Sequence, residues 1–238
     1  KGWKKGMNGV SSLSSPIFFI LLTLSLYTIS DTIYKRVKTP LIHPVFITMV
    51  FLILILLIFN IPYEKYMKGG QIISFFLGPS VVALAVPLYK ERKRIAENLA
   101  ALSITVPFGS LVGILSALIP GRLYGLSPEV MISLAPKSAT TPIAMGIAAS
   151  LGGLPDLTAA VVVFTGLFGV ITGPILLKLL GLVEDAVFGF ALGFACHGIG
   201  TAKALERSET AGAYSGLALG LNGLATALLT PLLFNLLF

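Results

Sequence analysis

Charge is what this sequence has least of. Asp, Glu, Lys and Arg make up 11 % of its 238 residues, where a soluble domain carries roughly 25 %. That shortage excludes an ordinary soluble protein, and no polar stretch is long enough to form a second, soluble domain. Cys196 is the only cysteine, so no intrachain disulfide can form. No G-x-x-x-x-G-K-[ST] run occurs, which removes a recognisable ATP motor. No group of His, Cys and carboxylates has metal-ligand spacing, and no set of nucleophile, base and orienting residue stands out. The expectation is a protein that is not an enzyme and uses no metal or cofactor.

What is abundant is apolar. Hydrophobic residues reach 55 % and mean hydropathy is +0.94. Long uncharged runs in such a background predict an all-α, polytopic integral membrane protein of the cell membrane, with the bilayer as its solvent. Net charge is +7, but position matters more than sign. Lys35, Arg36 and Lys38 form one short cluster, and Lys90, Arg92, Lys93 and Arg94 form another. Both lie in short loops between apolar spans, so they read as orientation signals rather than a nucleic-acid surface.

About eight helical segments follow in order. Residues 1–14 are a solvated lead-in; the chain starts at Lys1, as a trimmed or vector-derived terminus would. The first span runs from Pro16 to Ile33; it has a signal-peptide-like order, but no small-x-small cleavage site follows it cleanly. The second runs from Leu41 to Ile61, stopped by Asn60 and Pro62, with Tyr63 and Tyr66 beyond it at interfacial depth. The third, Gln71 to Leu88, is broken at Pro79. The fourth, Leu99 to Ile119, has Pro107 and Gly109 as kink points. The fifth, from Pro128 to Ser150, is broken between Pro136 and Pro142. The sixth runs from Leu157 to Leu180, with Gly166, Gly169 and Gly173 open to close helix contact. The seventh begins near Ala186 and is broken at 196–200. The eighth runs from Ala211 to Phe238. A plain span, a short glycine-containing turn and a broken segment recur at fifty to sixty residues, a period that suggests duplication. Leu126 and Leu182 each follow a glycine at matching places. Discontinuous helices in such repeats are a transporter signature.

The stretch Leu134 to Met145 is the organising one. Its two prolines do not fit an unbroken helix interior. A polar, broken segment at membrane depth is tolerated only where protein or water satisfies its backbone. Lys137 is its sharpest residue, because an intramembrane cation faces a bundle interior or a cavity by default. It is either a counter-charge for an anionic substrate or a structural partner of Glu129, Asp156 or a helix C-terminus. The hydroxyls of Ser138, Thr140 and Thr141 either meet a substrate or bond back to helical carbonyls, the commoner fate in apolar helices. His197, flanked by Gly198 and followed by Thr201, either binds substrate, carries a proton near neutral pH, or bonds structurally. Ser80 and Asn222 complete the candidates, with packing or helix glue as the plainer role for both. Cys196 reads as a small apolar filler.

The later segments resemble the LrgB/CidB family. The residues that carry the resemblance are Ile61-Pro-Tyr-Glu64, Lys68-Gly-Gly70, the run from Leu77 to Tyr89, Pro136-Lys-Ser-Ala-Thr-Thr-Pro-Ile-Ala144 and His197-Gly-Ile-Gly-Thr-Ala202. The family includes bacterial proteins described as antiholin-like or as murein-hydrolase exporters, plastidial glycolate/glycerate translocators, and members linked to pyruvate uptake. This chain departs from it at His43-Pro44, Cys196 and Lys203, where asparagine-proline, serine and arginine are usual. The resemblance implies a single transmembrane domain over residues 15–238. It implies secondary transport of a small monocarboxylate of the glycolate, glycerate or pyruvate class. The rival is a holin- or antiholin-like regulator of murein-hydrolase export and lysis. A third reading is a structural partner of a smaller LrgA/CidA-like companion. The glycine-rich faces of the sixth and eighth spans are expected to pack helix on helix, within one chain or across a homodimer. No nucleic acid is expected as a partner.

Overall fold

The computed structural model describes residues 15–37, 44–76, 79, 82–83 and 85–237. Among them there are eleven helices and no strand. Five of the helices are long and apolar enough to cross a membrane, and the chain is an all-α, multi-pass membrane protein. It divides into two compact units, residues 1–83 and 84–238.

The first unit holds α1 (Pro16–Val37), α2 (Pro44–Ile58) and α3 (Tyr63–Phe75). Pro16 and Pro44 both open helices, where a missing N–H is harmless. After α2, Asn60 takes φ 50° and Ile61 N–H closes on Leu56 O at 2.8 Å, a Schellman-type stop. The sequence puts Tyr63 and Tyr66 just beyond the second span at interfacial depth and begins the third segment at Gln71. Instead the helix begins at Tyr63 and packs on α1. Gly69 makes this fit, since a Cβ there would lie 2.5 Å from Pro16 O. The Tyr66 ring meets Phe19 edge-on at 5.9 Å, and its hydroxyl lies 3.4 Å from Thr23 Oγ1. Residues 77, 78, 80, 81 and 84 lie outside the described residues, and with them most of the expected break near Pro79.

The second unit holds α4 (Ala85–Lys90), α5 (Arg92–Glu97), α6 (Leu99–Leu123), α7 (Pro128–Leu134), α8 (Thr141–Ser150), α9 (Pro155–Leu179), α10 (Asp185–Arg207) and α11 (Glu209–Leu237). Pro107 and Gly109, expected kink points, lie inside an unbroken α6. Pro174 likewise lies within α9.

α10 is one helix only by length. His197 has φ 45° and ψ −133°, and the chain doubles back there. Arg207 Nε donates to Asp185 Oδ1 at 2.7 Å, and its guanidinium lies 4.3 Å over the Phe188 ring. A straight helix would hold Asp185 and Arg207 about 33 Å apart. The element is therefore a hairpin of two arms, with His197 at its tip. Gly200 lets the arms touch: a Cβ there would lie 2.1 Å from Leu192 O.

α7 and α8 make a second hairpin. Past the end of α8 the chain returns to α7, where Leu154 N–H donates to Ser133 Oγ at 2.7 Å. Residues 135–140 form its tip. α7 runs back along α6, with Met131 against Gly121 and Lys137 against Gly113.

The two halves repeat. α6 and α9 each have 25 residues and are offset by 56 at both ends. The hairpins 128–150 and 185–207 are offset by 57 at both ends. Between span and hairpin the same turn recurs: Leu126 N–H bonds Gly121 O, Leu182 N–H bonds Leu177 O, both at 2.9 Å, and Gly125 and Gly181 take φ 68° and 71°. Only glycine takes that conformation without steric penalty. α6 and α9 run in opposite senses, so the hairpins enter from opposite faces, an inverted repeat. α11 runs parallel to α6: Tyr214 meets Asn98, Asn222 meets Ser110 and the Leu237 carbonyl meets Arg122. Lys90, Arg92, Lys93, Arg94, Lys178, Lys203 and Arg207 lie toward one face of this unit, and Arg122 toward the other. By the positive-inside rule the basic face is cytoplasmic.

Candidate functional site

The two hairpin tips meet against α11. Asn222 is the residue that joins them. Its Nδ2 donates to Ser138 O at 3.0 Å and to Phe194 O at 2.9 Å. Its Oδ1 accepts from Ser110 Oγ at 2.8 Å and from Thr226 Oγ1 at 3.2 Å. Both carbonyls are available because the helical ladder is interrupted just beyond them, at 139–140 and at His197. The four hydrogen-bonding positions of the amide are all taken by protein. Loss of the side chain would leave two buried acceptors, at about 1–3 kcal/mol each.

Lys137 sits in the first tip, half-buried. Its Nζ donates to Gly113 O at 2.8 Å and to Ser116 Oγ at 2.7 Å. Among the described residues it forms no salt bridge; the ion pairs there are Asp31–Lys35, Lys90–Glu209, Lys203–Glu206 and Arg207–Asp185. Neither Glu129 nor Asp156 neutralises it.

Many hydroxyls of this chain are satisfied within their own helix. Thr23, Thr48, Ser103, Ser133, Thr158 and Thr172 each bond back to the carbonyl four residues earlier, which is the ordinary outcome in apolar helices. Thr140 opens α8 without a side-chain hydrogen bond to it, and the Ser138 and Thr141 hydroxyls bond no protein group among the described residues.

In the second tip, the His197 ring is buried, with Nε2 3.0 Å from Val162 O. Gly166 makes room for the imidazole, since a Cβ there would lie 2.7 Å from it. Gly198 is exposed, with open space where its Cβ would be. Thr201 is occupied: its hydroxyl donates to His197 O and accepts from Ser215 Oγ, both at 3.0 Å. Cys196 is buried against Gly169, the filler role read from the sequence. Ser80 lies outside the described residues.

Two N-terminal helix ends therefore point inward: α8 leaves the first tip at Thr141, and the second arm of α10 leaves the other after His197. A helix N-terminus carries the positive end of the helix dipole. The Lys137 ammonium itself rests on α6, at Gly113 and the exposed Ser116. Sequence reasoning missed Gly113, Ser116, Val162 and Phe194. Ser116 had no local signal to separate it from the other serines of α6, and the rest contribute only backbone or ring.

A helical membrane unit with two re-entrant hairpins in inverted repeat defines the class of protein. Residues 23–236 match the LrgB-like family, and the chain belongs to that family. An uncharacterized protein of Bacillus subtilis strain 168, YxaC, is 40 % identical over 216 residues, 91 % of this chain and 94 % of that protein. An uncharacterized protein of Haemophilus influenzae is 37 % identical over 220 residues, 92 % of this chain and 95 % of that one. Holin-like protein CidB of Staphylococcus aureus strain Mu50 is 33 % identical over 222 residues, 93 % of this chain and 97 % of that one. No solved structure matches.

Proposed function

We propose that this chain is a holin-like membrane protein that governs what crosses the membrane during murein-hydrolase export and lysis. The observation that carries this reading is its likeness to Holin-like protein CidB along 93 % of the chain. Of the functions read from the sequence, this relative's name favours the holin-like one; it does not speak of a monocarboxylate.

One geometric observation favours a second reading, passage of a small monocarboxylate. Among the described residues Lys137 stands without a carboxylate partner, in the same tip as the N-terminus of α8 and next in sequence to Ser138, whose hydroxyl is unbonded there. A carboxylate entering a membrane interior loses hydration at great expense. A fixed cation and a helix dipole end offset part of that loss. The tips are also tied by Asn222 and close-packed through Gly166 and Gly200, an arrangement suited to a narrow path.

Purified protein in liposomes separates the two. A holin-like lesion releases a bulky trapped dye, without saturation. A carboxylate path retains the dye and gives saturable flux of labelled glycolate or pyruvate. Liposomes that pass neither would refute both readings.

A further inference from the structure

The second unit contains a cavity of about 550 Å³, within the range of small-molecule sites, that the site described above does not use. Its mouth is at the basic face and carries Arg94, Asn98, Glu184 and Tyr214. Asn98 Nδ2 donates to the Tyr214 hydroxyl at 3.3 Å. Lys90, Lys203 and Arg207 are each paired with a carboxylate, but Arg94 forms no ion pair among the described residues. The walls are α6, through Leu102 and Thr105, and the first arm of α10, through Val187 and Ala191.

The cavity ends at Phe194. That ring stacks on Phe190 at 5.6 Å and seats on Gly109, where a Cβ would lie 2.9 Å from it. Gly109 precedes Gly113 by one turn of α6, about 6 Å along the axis. Gly113 O is the carbonyl that holds Lys137. Phe194 O shares the Asn222 amide with Ser138 O. One aromatic ring thus stands between the end of the cavity and the cation of the first tip.

We propose that this cavity is the cytoplasmic vestibule for a small carboxylate, and that Phe194 is the gate between the vestibule and Lys137. The inference rests on the carboxylate reading. An unpaired guanidinium at the mouth draws an anion in, while Glu184 beside it keeps the mouth from becoming a tight anion trap. The walls are largely apolar and hold no second cation, so Lys137 is the place where the anion comes to rest. Phe194 lies three residues before the His197 break, where a small rotation of the arm lifts the ring from Gly109. The bare Cα of Gly109 is what allows the ring to close. The space left when it opens sets the largest carboxylate admitted, which makes Phe194 a specificity-determining residue.

The test uses the full chain in liposomes with Cys196→Ala, which removes the only native thiol. Thr105→Cys is added on the cavity wall and treated from the cytoplasmic face with a charged, impermeant methanethiosulfonate reagent. The expected result has three parts. Thr105→Cys is modified, modification slows glycolate and pyruvate flux several-fold, and either carboxylate slows the modification. Phe194→Ala raises flux of a bulkier branched monocarboxylate relative to glycolate several-fold, and Phe194→Trp lowers it. Normal flux with Thr105→Cys unmodified, as when a lipid chain fills the cavity, or modified without effect or protection, overturns the vestibule. An unchanged size preference in both Phe194 variants overturns the gate. Absence of carboxylate flux in the unmodified Cys196→Ala and native proteins overturns the carboxylate reading, and the inference with it.

Discussion

Lys137 rests its ammonium on two neutral oxygens, Gly113 O and Ser116 Oγ. Those two groups also bond each other, since Ser116 Oγ donates to Gly113 O at 2.7 Å. Removing the ammonium therefore leaves no orphan acceptor, and the local fold does not depend on it. If a carboxylate passes the tips, Lys137→Met keeps the length of the side chain, loses its charge and abolishes glycolate and pyruvate flux with little change in thermal stability in detergent. Lys137→Arg also fails or changes selectivity, because a planar fork does not replace a compact ammonium held on one carbonyl and one hydroxyl. Flux at the native rate through folded Lys137→Met protein would remove the lysine from the path. His197 differs in kind. Its positive φ at a non-glycine position is an uncommon conformation, and it is maintained by the ring's contact with Val162 O and its fit against Gly166.

At the scale of the element, the hairpins are the result that length alone misreads. α10 has 23 residues and enough apolar character to span a bilayer, but its two ends lie together on one face. The Asp185–Arg207 pair is solvent-accessible on both sides, so it adds at most about 1 kcal/mol and reports the doubling back more than it enforces it. What holds the arms is close backbone contact, through Gly200 within the hairpin and through Gly189 and Gly193 against α11. This is the small-residue packing that membranes favour where lipid competes for apolar surface. Cysteines placed at Asp185 and Arg207 in a Cys196→Ala background should be joined by a short bifunctional thiol reagent in membranes. A straight helix separates them by about 33 Å, so a failure to cross-link under conditions where both thiols react singly would sink the hairpin.

At the scale of the whole molecule, two re-entrant hairpins change which loops share a face. If both broken segments crossed fully, the turn at 151–154 would lie in the cytoplasm and the turn at 180–184 outside. With both re-entering, 151–154 shares the outer face with the turn at 124–127, and 180–184 shares the cytoplasmic face with Ser208. The C-terminal end of α11 lies on the outer face in either arrangement, because the two re-entries cancel. Single cysteines at Tyr124 and Leu154, exposed at 84 % and 45 %, should therefore be labelled from outside by an impermeant maleimide. One at Leu182, exposed at 44 %, should be labelled only after the membrane is opened. Labelling of Leu154 and Leu182 on the opposite faces would restore the fully crossing topology.

The class of protein, the bounds of most long helices, and the breaks at 135–140 and His197 follow from composition and local chemistry; the kinks expected at Pro107 and Gly109 do not appear. Scarcity of charge forces the bilayer as solvent. Pro136, Pro142 and the glycines around His197 deny the chain a continuous ladder. Even the duplication is legible, as the glycine-leucine turns at 125–126 and 181–182. Whether a broken segment crosses or returns is not a local property. The residues on either side of a break are helical in both cases, and the direction of the second arm is decided by what it packs against. Gly200 against Leu192 and Ser133 against Leu154 decide it here, and those contacts join positions whose spacing carries no periodic signal. The same holds for Asn222. In sequence it is one amide in an apolar helix, with glue as its plainest role; only the meeting of two tips, 84 and 28 residues away from it, makes it the residue on which both hairpins converge.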